Sequence, residues 1–303
     1  MQIHQTAFTT LPAPASQLGE SGAWWKGAFY WVDILGKTIW KWDPQTQETC
    51  KRDVSSPIGT IHPIAEEQDQ LIIALQHAIC RFSFADGKTH HLTNLESDIP
   101  NNRANDGKCD PSGRFWVGTM DMDATPHCGN LYRMEKDHSL TRMVSNVSIS
   151  NGIAWSNDTM YYIDTLTSIV EAFDYDNATG TISNRRPICK IPTDLGYPDG
   201  MNIDAEGKLW VALWGGSAVA RIDPTPGKIT DLYRLPTSQI TNCTFGGDDL
   251  QDLYITTAKE GLSEEQLAAQ PLAGKVFIIR TTAKGKRIPP KSLNAQNHEH
   301  QNL

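Results

Sequence analysis

Long hydrophobic runs, paired cysteines and an excess of positive charge are all missing from this chain of 303 residues. No apolar stretch approaches the ~20 residues of a membrane-spanning helix. The first residues, Met1-Gln2-Ile3-His4-Gln5, lack the basic and apolar regions of a secretory signal. These absences predict a cytoplasmic protein with no membrane partner. Six cysteines (Cys50, Cys80, Cys109, Cys128, Cys189, Cys243) are scattered with no C-x-x-C pair, which argues against a zinc ribbon and a thioredoxin motif. Reduced, mostly buried thiols are expected instead. A net charge of -8 repels phosphate backbones, so no nucleic-acid partner is expected. The main basic run, Lys284-Gly285-Lys286-Arg287, reads as a solvated tail. With neither G-x-S-x-G nor H-E-x-x-H present, serine-esterase and zincin chemistry have no support.

What the chain does have is a repeat. Six short apolar strands begin at Phe29, Leu71, Phe115, Met160, Leu209 and Leu253, spaced 42, 44, 45, 49 and 44 residues apart. Each is followed by a partner run, such as Thr38-Ile39-Trp40-Lys41-Trp42 or Ala218-Val219-Ala220-Arg221-Ile222, in which apolar and polar residues alternate. Turn residues such as Asp110-Pro111-Ser112-Gly113 and Asp204-Ala205-Glu206-Gly207 precede several of the six. Counting a leading segment and a closing polar run, each unit holds about four strands in ~45 residues, the size of one propeller blade. A stacked solenoid shares such a period, but irregular loops and aromatic-rich antiparallel units favour radial packing. The expected fold is therefore all-β: a six-bladed β-propeller occupying residues 1–289 as one domain, with a polar, loose tail over 290–303. Inside the last blade, Leu262 to Ala269 breaks the pattern, and Ser263 with Gln266 has capping-box spacing, which predicts a short helix there.

In a propeller the first strand of every blade lines the axis, so side chains near the starts of these strands converge. Counting back nine to eleven residues from the six marked strands reaches Glu20, His62, Asn105 with Asp106, Asn151, Asp199 and Asn242. Four local sequences share a polar-then-glycine form: Glu20-Ser21-Gly22, Asn105-Asp106-Gly107, Asn151-Gly152 and Asp199-Gly200. Glycine there permits a tight turn or close backbone approach. Each pair alone reads as a common turn; four in register do not. Two carboxylates, Glu20 and Asp199, confined in one channel repel unless a cation lies between them. With the amide oxygens of Asn151 and Asn105 they match a divalent cation that prefers oxygen, such as calcium, magnesium or manganese, with zinc and ferrous iron left open. His62 is a further candidate that an oxygen site does not require. His90, His91, His298 and His300 read as solvent-exposed.

These residues carry a resemblance. Gly19-Glu20-Ser21-Gly22, Asn102-Arg103-Ala104-Asn105-Asp106-Gly107-Lys108 with Gly118-Thr119-Met120, Ser150-Asn151-Gly152-Ile153-Ala154-Trp155-Ser156 and Pro198-Asp199-Gly200-Met201 resemble the senescence marker protein / gluconolactonase / luciferin-regenerating enzyme family, over about residues 15 to 280. The resemblance implies one catalytic divalent cation, calcium first among the candidates, and hydrolysis of a sugar lactone. It implies Glu20, Asn151 and Asp199 as direct metal ligands and Asn105 as a fourth contact to metal or substrate. It further implies Arg103 and, by a looser match, Asp123 as substrate-binding residues. Asp199 is the candidate general base, or else orients the attacking water. A small-molecule lactone is the expected partner, with no obligate protein partner. Two other roles fit the same scaffold: a calcium-binding regulatory propeller without turnover, and an organophosphate or other ester hydrolase.

Overall fold

The computed structural model describes residues 1–65, 67, 69–287 and 289–291. They form a six-bladed β-propeller of six separate sheets. The marked apolar strands are the second strands of the blades: Ala28–Asp33, Gln70–Leu75, Phe115–Asp121, Thr159–Asp164, Leu209–Trp214 and Asp252–Thr257. Sheets cover both their faces, which explains their near-continuous hydrophobicity; Phe29, Trp31, Trp116, Tyr162 and Trp210 are among the largest fully buried side chains. Outer strands such as Glu48–Asp53 and Thr89–Asn94 are largely exposed and correspondingly polar.

The turn residues ahead of the second strands have a structural task. Asp110, fully buried, accepts from the backbone N–H of Ser112 (3.0 Å) and Arg114 (2.9 Å), from the Arg114 side chain (2.7 Å) and from Trp116 Nε1 (3.0 Å). Asp204 repeats the pattern with Glu206, Lys208, Arg221 and Trp210 Nε1. One carboxylate thus ties the turn, a cation and the blade's core tryptophan together, leaving none of its oxygens unsatisfied.

Ring closure is where the chain departs from a simple repeat. The last blade takes its outer strand from the N-terminus: Phe8–Thr10 pairs antiparallel with Phe277–Arg280, and Gln2–Gln5 adds a parallel fifth strand to the blade before it. First and last blades are thereby fastened by hydrogen bonds that would otherwise be exposed strand edges. The expected helix is present at Glu264–Ala269, with the Ser263 side chain accepting from Gln266 N and Gln266 Oε1 accepting from Ser263 N.

The basic run at 284–287 is not a free tail. Gly285 bridges Asp204, its N–H donates to Leu250 O, and Lys291 pairs with Ile64, so this segment crosses one end of the ring from the fifth and sixth blades to the second. Docked chain therefore extends to Lys291, just past the boundary expected at 290. The rest of that tail, including His298 and His300, lies outside the described residues. Cys80, Cys109, Cys189 and Cys243 are buried, Cys50 and Cys128 exposed, and all six are free thiols.

Candidate functional site

The inner strands are Gly19–Trp25, Ile58–Pro63, Asn102–Cys109, Ser150–Ser156, Tyr197–Ile203 and Ile240–Gly246. Every one of them slips register against its second strand near its start: between Glu20 and Ala23, Ile58 and Thr60, Ala104 and Gly107, Ser150 and Ile153, Pro198 and Met201, and Ile240 and Asn242. A bulge leaves residues unpaired and re-aims their side chains. Six bulges at one depth turn that part of each strand toward the axis, and this positions the site.

Partner registers show which residues are equivalent. Gly19 lies opposite Asp33 and Ser150 opposite Asp164, so Glu20 and Asn151 hold the same place in their blades. By the same pairing Asn105 and Asp199 also hold it. In the second and sixth blades the place falls to Gly59 and Thr241, not to His62 and Asn242 as simple counting suggests. All six bulges insert one residue, but the stretch from this place to the marked strand is longer in these two blades, 12 residues from Gly59 to Leu71 and from Thr241 to Leu253 against nine or ten in the other four. His62 sits away from the carboxylates: its Nε2 meets Pro289 O at 2.7 Å, and burial, with Lys108 and Lys291 nearby, pushes it down to about 4. Asn242 does reach the site, donating from Nδ2 to Glu20 Oε2 at 3.1 Å.

The glycines of the repeated motif are explained by crowding around the axis. A Cβ on Gly152 would lie 2.8 Å from Asp199 O, and one on Gly200 2.8 Å from Thr241 O. At these glycines the inner strand of the neighbouring blade lies too close for a side chain. In the first blade Ser21 takes the corresponding place in the left-handed region at φ 50°, and its N–H donates to Glu20 Oε2 at 3.0 Å. A non-glycine residue held in this conformation costs about 1 kcal/mol or more, here in the service of aiming a carboxylate.

Glu20, Arg103, Asn105, Asn151 and Asp199 are all buried, between 4 % exposed (Asn151) and 7 % (Glu20 and Arg103). Asn151 Nδ2 donates to Thr165 Oγ1 at 2.9 Å, and Thr165 in turn donates to Pro198 O at 2.8 Å. This fixes the amide, and its Oδ1 is buried with no partner, as is Oδ1 of Asp199. Arg103 Nη1 donates to Asn105 Oδ1 at 2.6 Å, and Asn105 Nδ2 to Ser150 O at 2.8 Å, so Asn105 is tied to the arginine and to the neighbouring blade. Asp123 is exposed, on the loop beyond Asp121; Asn101 Nδ2 joins the two, at 2.7 Å to Asp121 and 3.2 Å to Asp123. That loop opens at the same mouth, but the structure does not bring Asp123 into the buried cluster.

A third carboxylate belongs to the cluster. Asp106 occupies the bulge place that Gly152 and Gly200 hold in the next blades, and its Oδ2 is buried and unpartnered. Burial raises Glu20 to about 8, with Asp106 adding repulsion. Burial, then Glu20, then Asp106 hold Asp199 well above the usual carboxylate range. Burial also lowers Arg103 to about 10, against the attraction of Glu20 and Asp199. The sequence names Asp106 beside Asn105 but gives it no part; the signal was a carboxylate where the repeat elsewhere has glycine.

Among the described residues no three His, Cys, Asp or Glu side chains form a metal-binding group. The oxygens that gather here are of mixed kind, the carboxylates of Glu20, Asp106 and Asp199 with the amides of Asn105 and Asn151. Unpartnered buried Oδ1 atoms on Asn151 and Asp199, beside mutually repelling carboxylates, are nevertheless what an oxygen-coordinated divalent cation satisfies.

Fold and site together define a class: six-bladed propellers with a buried acidic site at one end of the axis. The chain belongs to the SMP-30/gluconolactonase/LRE-like family, whose model, described as the SMP-30/Gluconolactonase/LRE-like region, matches residues 18–259. It is 43% identical to regucalcin of Danio rerio over 285 residues, 91% of this chain and 95% of that protein. Among solved structures it is similar to a luciferin-regenerating enzyme (TM-score 0.90, 32% identity, covering 95% of this chain and 100% of that one). A regucalcin from Agrobacterium tumefaciens, described as a calcium-binding protein, is similar as well (TM-score 0.91, 28% identity, covering 96% and 99%).

Proposed function

We propose that the protein opens the ring of a sugar lactone by hydrolysis, in a reaction that depends on a divalent cation held by Glu20, Asn151 and Asp199, with Asn105 contacting cation or substrate. One observation carries this reading: the buried, unpartnered Oδ1 atoms of Asn151 and Asp199 stand beside Glu20 and next to Arg103, so ligands for a cation adjoin a donor for substrate oxygens. Family membership supports it, since gluconolactonases are among the members that the family description names.

When bound, the cation supplies Lewis-acid polarisation of the lactone carbonyl and offsets the charge that develops on its oxygen. The protein's own groups do the rest. Arg103 spends Nη1 on Asn105 and on Ala104 O, and no described residue uses its Nε or Nη2. Those donors are suited to a sugar oxygen, or to the negative charge that builds on the carbonyl. Asp199 takes a proton from a water as the water oxygen bonds to the carbonyl carbon; the ring C–O bond then breaks, and the ring oxygen takes up a proton to become a hydroxyl. Asp123, at the rim, contacts sugar hydroxyls. At neutral pH the product acid releases one proton per turnover.

That proton provides the test. Aldono-lactones assayed with a pH indicator, with added cations and with chelator, are expected to open faster than their spontaneous rate only when a divalent cation is present. If no lactone is accelerated under any of calcium, zinc, manganese, magnesium or ferrous iron, the proposal fails. In a second reading the same ligands bind calcium without turnover; the calcium-binding description of the Agrobacterium relative favours it. Cation binding without acceleration of any lactone is the result that would establish it.

A further inference from the structure

The opposite end of the axis holds a second cavity, of about 320 Å³. Its walls are the far ends of the inner strands of three blades, including Lys108, Trp155 and Ile203, and its cover is the crossing C-terminal segment through Lys286, Arg287 and Pro289. Asp199 and Ile203 lie on one strand, four residues apart. At 3.3 Å per residue these two positions are about 13 Å apart along the strand, while Lys108 of the cavity wall lies two residues from Asp106. None of Glu20, Asp106 and Asp199 lines the cavity.

Its chemistry is the reverse of that cluster. No Asp or Glu lines it among the described residues, although the chain as a whole carries a net charge of -8. Three cations do line it. Lys286 and Arg287 are exposed and in no ion pair among the described residues. Lys108 is half-buried, donates from Nζ to Met201 O at 2.7 Å, is attracted by Asp106 on its own strand, and has two further N–H donors. Apolar residues, among them Ala154, Trp155, Ile203 and Pro289, line it as well. Cavities of this size that combine apolar walls with a few convergent polar groups are typical small-molecule sites.

We infer that this cavity binds a small organic anion with a flat apolar body, its acidic group held by Lys108, Lys286 and Arg287 and its body resting between Trp155 and Pro289. Because the cover is the crossing segment itself, occupancy fastens Lys286, Arg287 and Pro289 to the ring. The inference is independent of the lactone reading, since none of these residues is among the cation or substrate contacts proposed there.

The test uses 8-anilinonaphthalene-1-sulfonate, a flat aromatic sulfonate, titrated by fluorescence into the full-length protein and into K286E/R287E. Both changes are at exposed side chains and leave the fold and the lactone assay unaltered. The expected result is at least tenfold weaker binding to the double variant. Saturating probe is also expected to slow tryptic cleavage after Lys286 and Arg287 in the unmodified protein at least fivefold, read by mass spectrometry. Absence of binding, affinities within twofold of each other, or cleavage unaffected by the probe would each overturn the inference.

Discussion

Replacing Glu20 by glutamine is expected to make the cation-free protein more stable while abolishing its response to cations. In the fold Glu20 rises from 4.5 to about 8 because burial and Asp106 disfavour its charge. Between those values the unfolded chain has released this proton and the folded one retains it, so stability falls as pH rises, by about 1.4 kcal/mol per unit. At pH 7 the loss is 2.5 units, or about 3 kcal/mol. Glutamine is neutral, nearly isosteric and free of that loss. With an unfolding entropy of about 2.1 cal/mol/K per residue, 303 residues convert about 3 kcal/mol into a rise of about 5 °C in melting temperature. At pH 5 the difference shrinks to about 1 °C, since only half a unit separates that pH from 4.5. Scanning calorimetry in chelator at both pH values reads this directly. Calcium at saturating concentration should raise the melting temperature of the unmodified protein and leave E20Q unmoved. A variant less stable than its parent in chelator at pH 7, or one that responds fully to calcium, refutes the placement of Glu20 in a cation site.

Asp199→Asn keeps the side-chain shape but removes the charge and the proton acceptor; kcat on a responsive lactone should fall by about a thousandfold or more, with the far-UV spectrum unchanged. Arg103→Lys retains the charge without the fork of donors, and steady-state kinetics should show kcat/KM reduced about tenfold or more. Asp123→Ala, at the rim, should raise KM by less than about tenfold with kcat nearly intact, as expected for loss of one exposed sugar contact. Deleting residues 1–10 removes the strand that pairs with Phe277–Arg280 and the one beside Lys228–Arg234, together with the Phe8–Phe277 and His4–Tyr233 ring contacts. At about 1 kcal/mol per lost strand hydrogen bond, urea unfolding should register a loss of about 5 kcal/mol or more, and an unchanged midpoint would refute the closure role.

Much of the architecture is legible in the sequence because a blade is a local object. Its four strands are mostly consecutive, so alternation, turn residues and a period near 45 report it without knowledge of the neighbours. The short helix was readable for the same reason, Ser263 and Gln266 being three residues apart. The closing strand was not. Phe8–Thr10 lies far in sequence from its partner Phe277–Arg280, and nothing in either segment names the other. The basic run at 284–287 likewise looked solvated, since its contacts with Asp204 and Leu250 are made by backbone.

For the site, the chain alone singled out Glu20, Asn105, Asn151 and Asp199, each within two residues of a glycine, and the structure places all four at matching positions in their blades. Only the tertiary structure decided which residues share a depth, because depth depends on how far the paired strands run before their connecting turn, and the longer connection of the second blade puts Gly59 at that depth and leaves His62 against Pro289. Only it brought Asp106 into the charge balance, because repulsion among buried carboxylates acts between blades, through space and not along the chain.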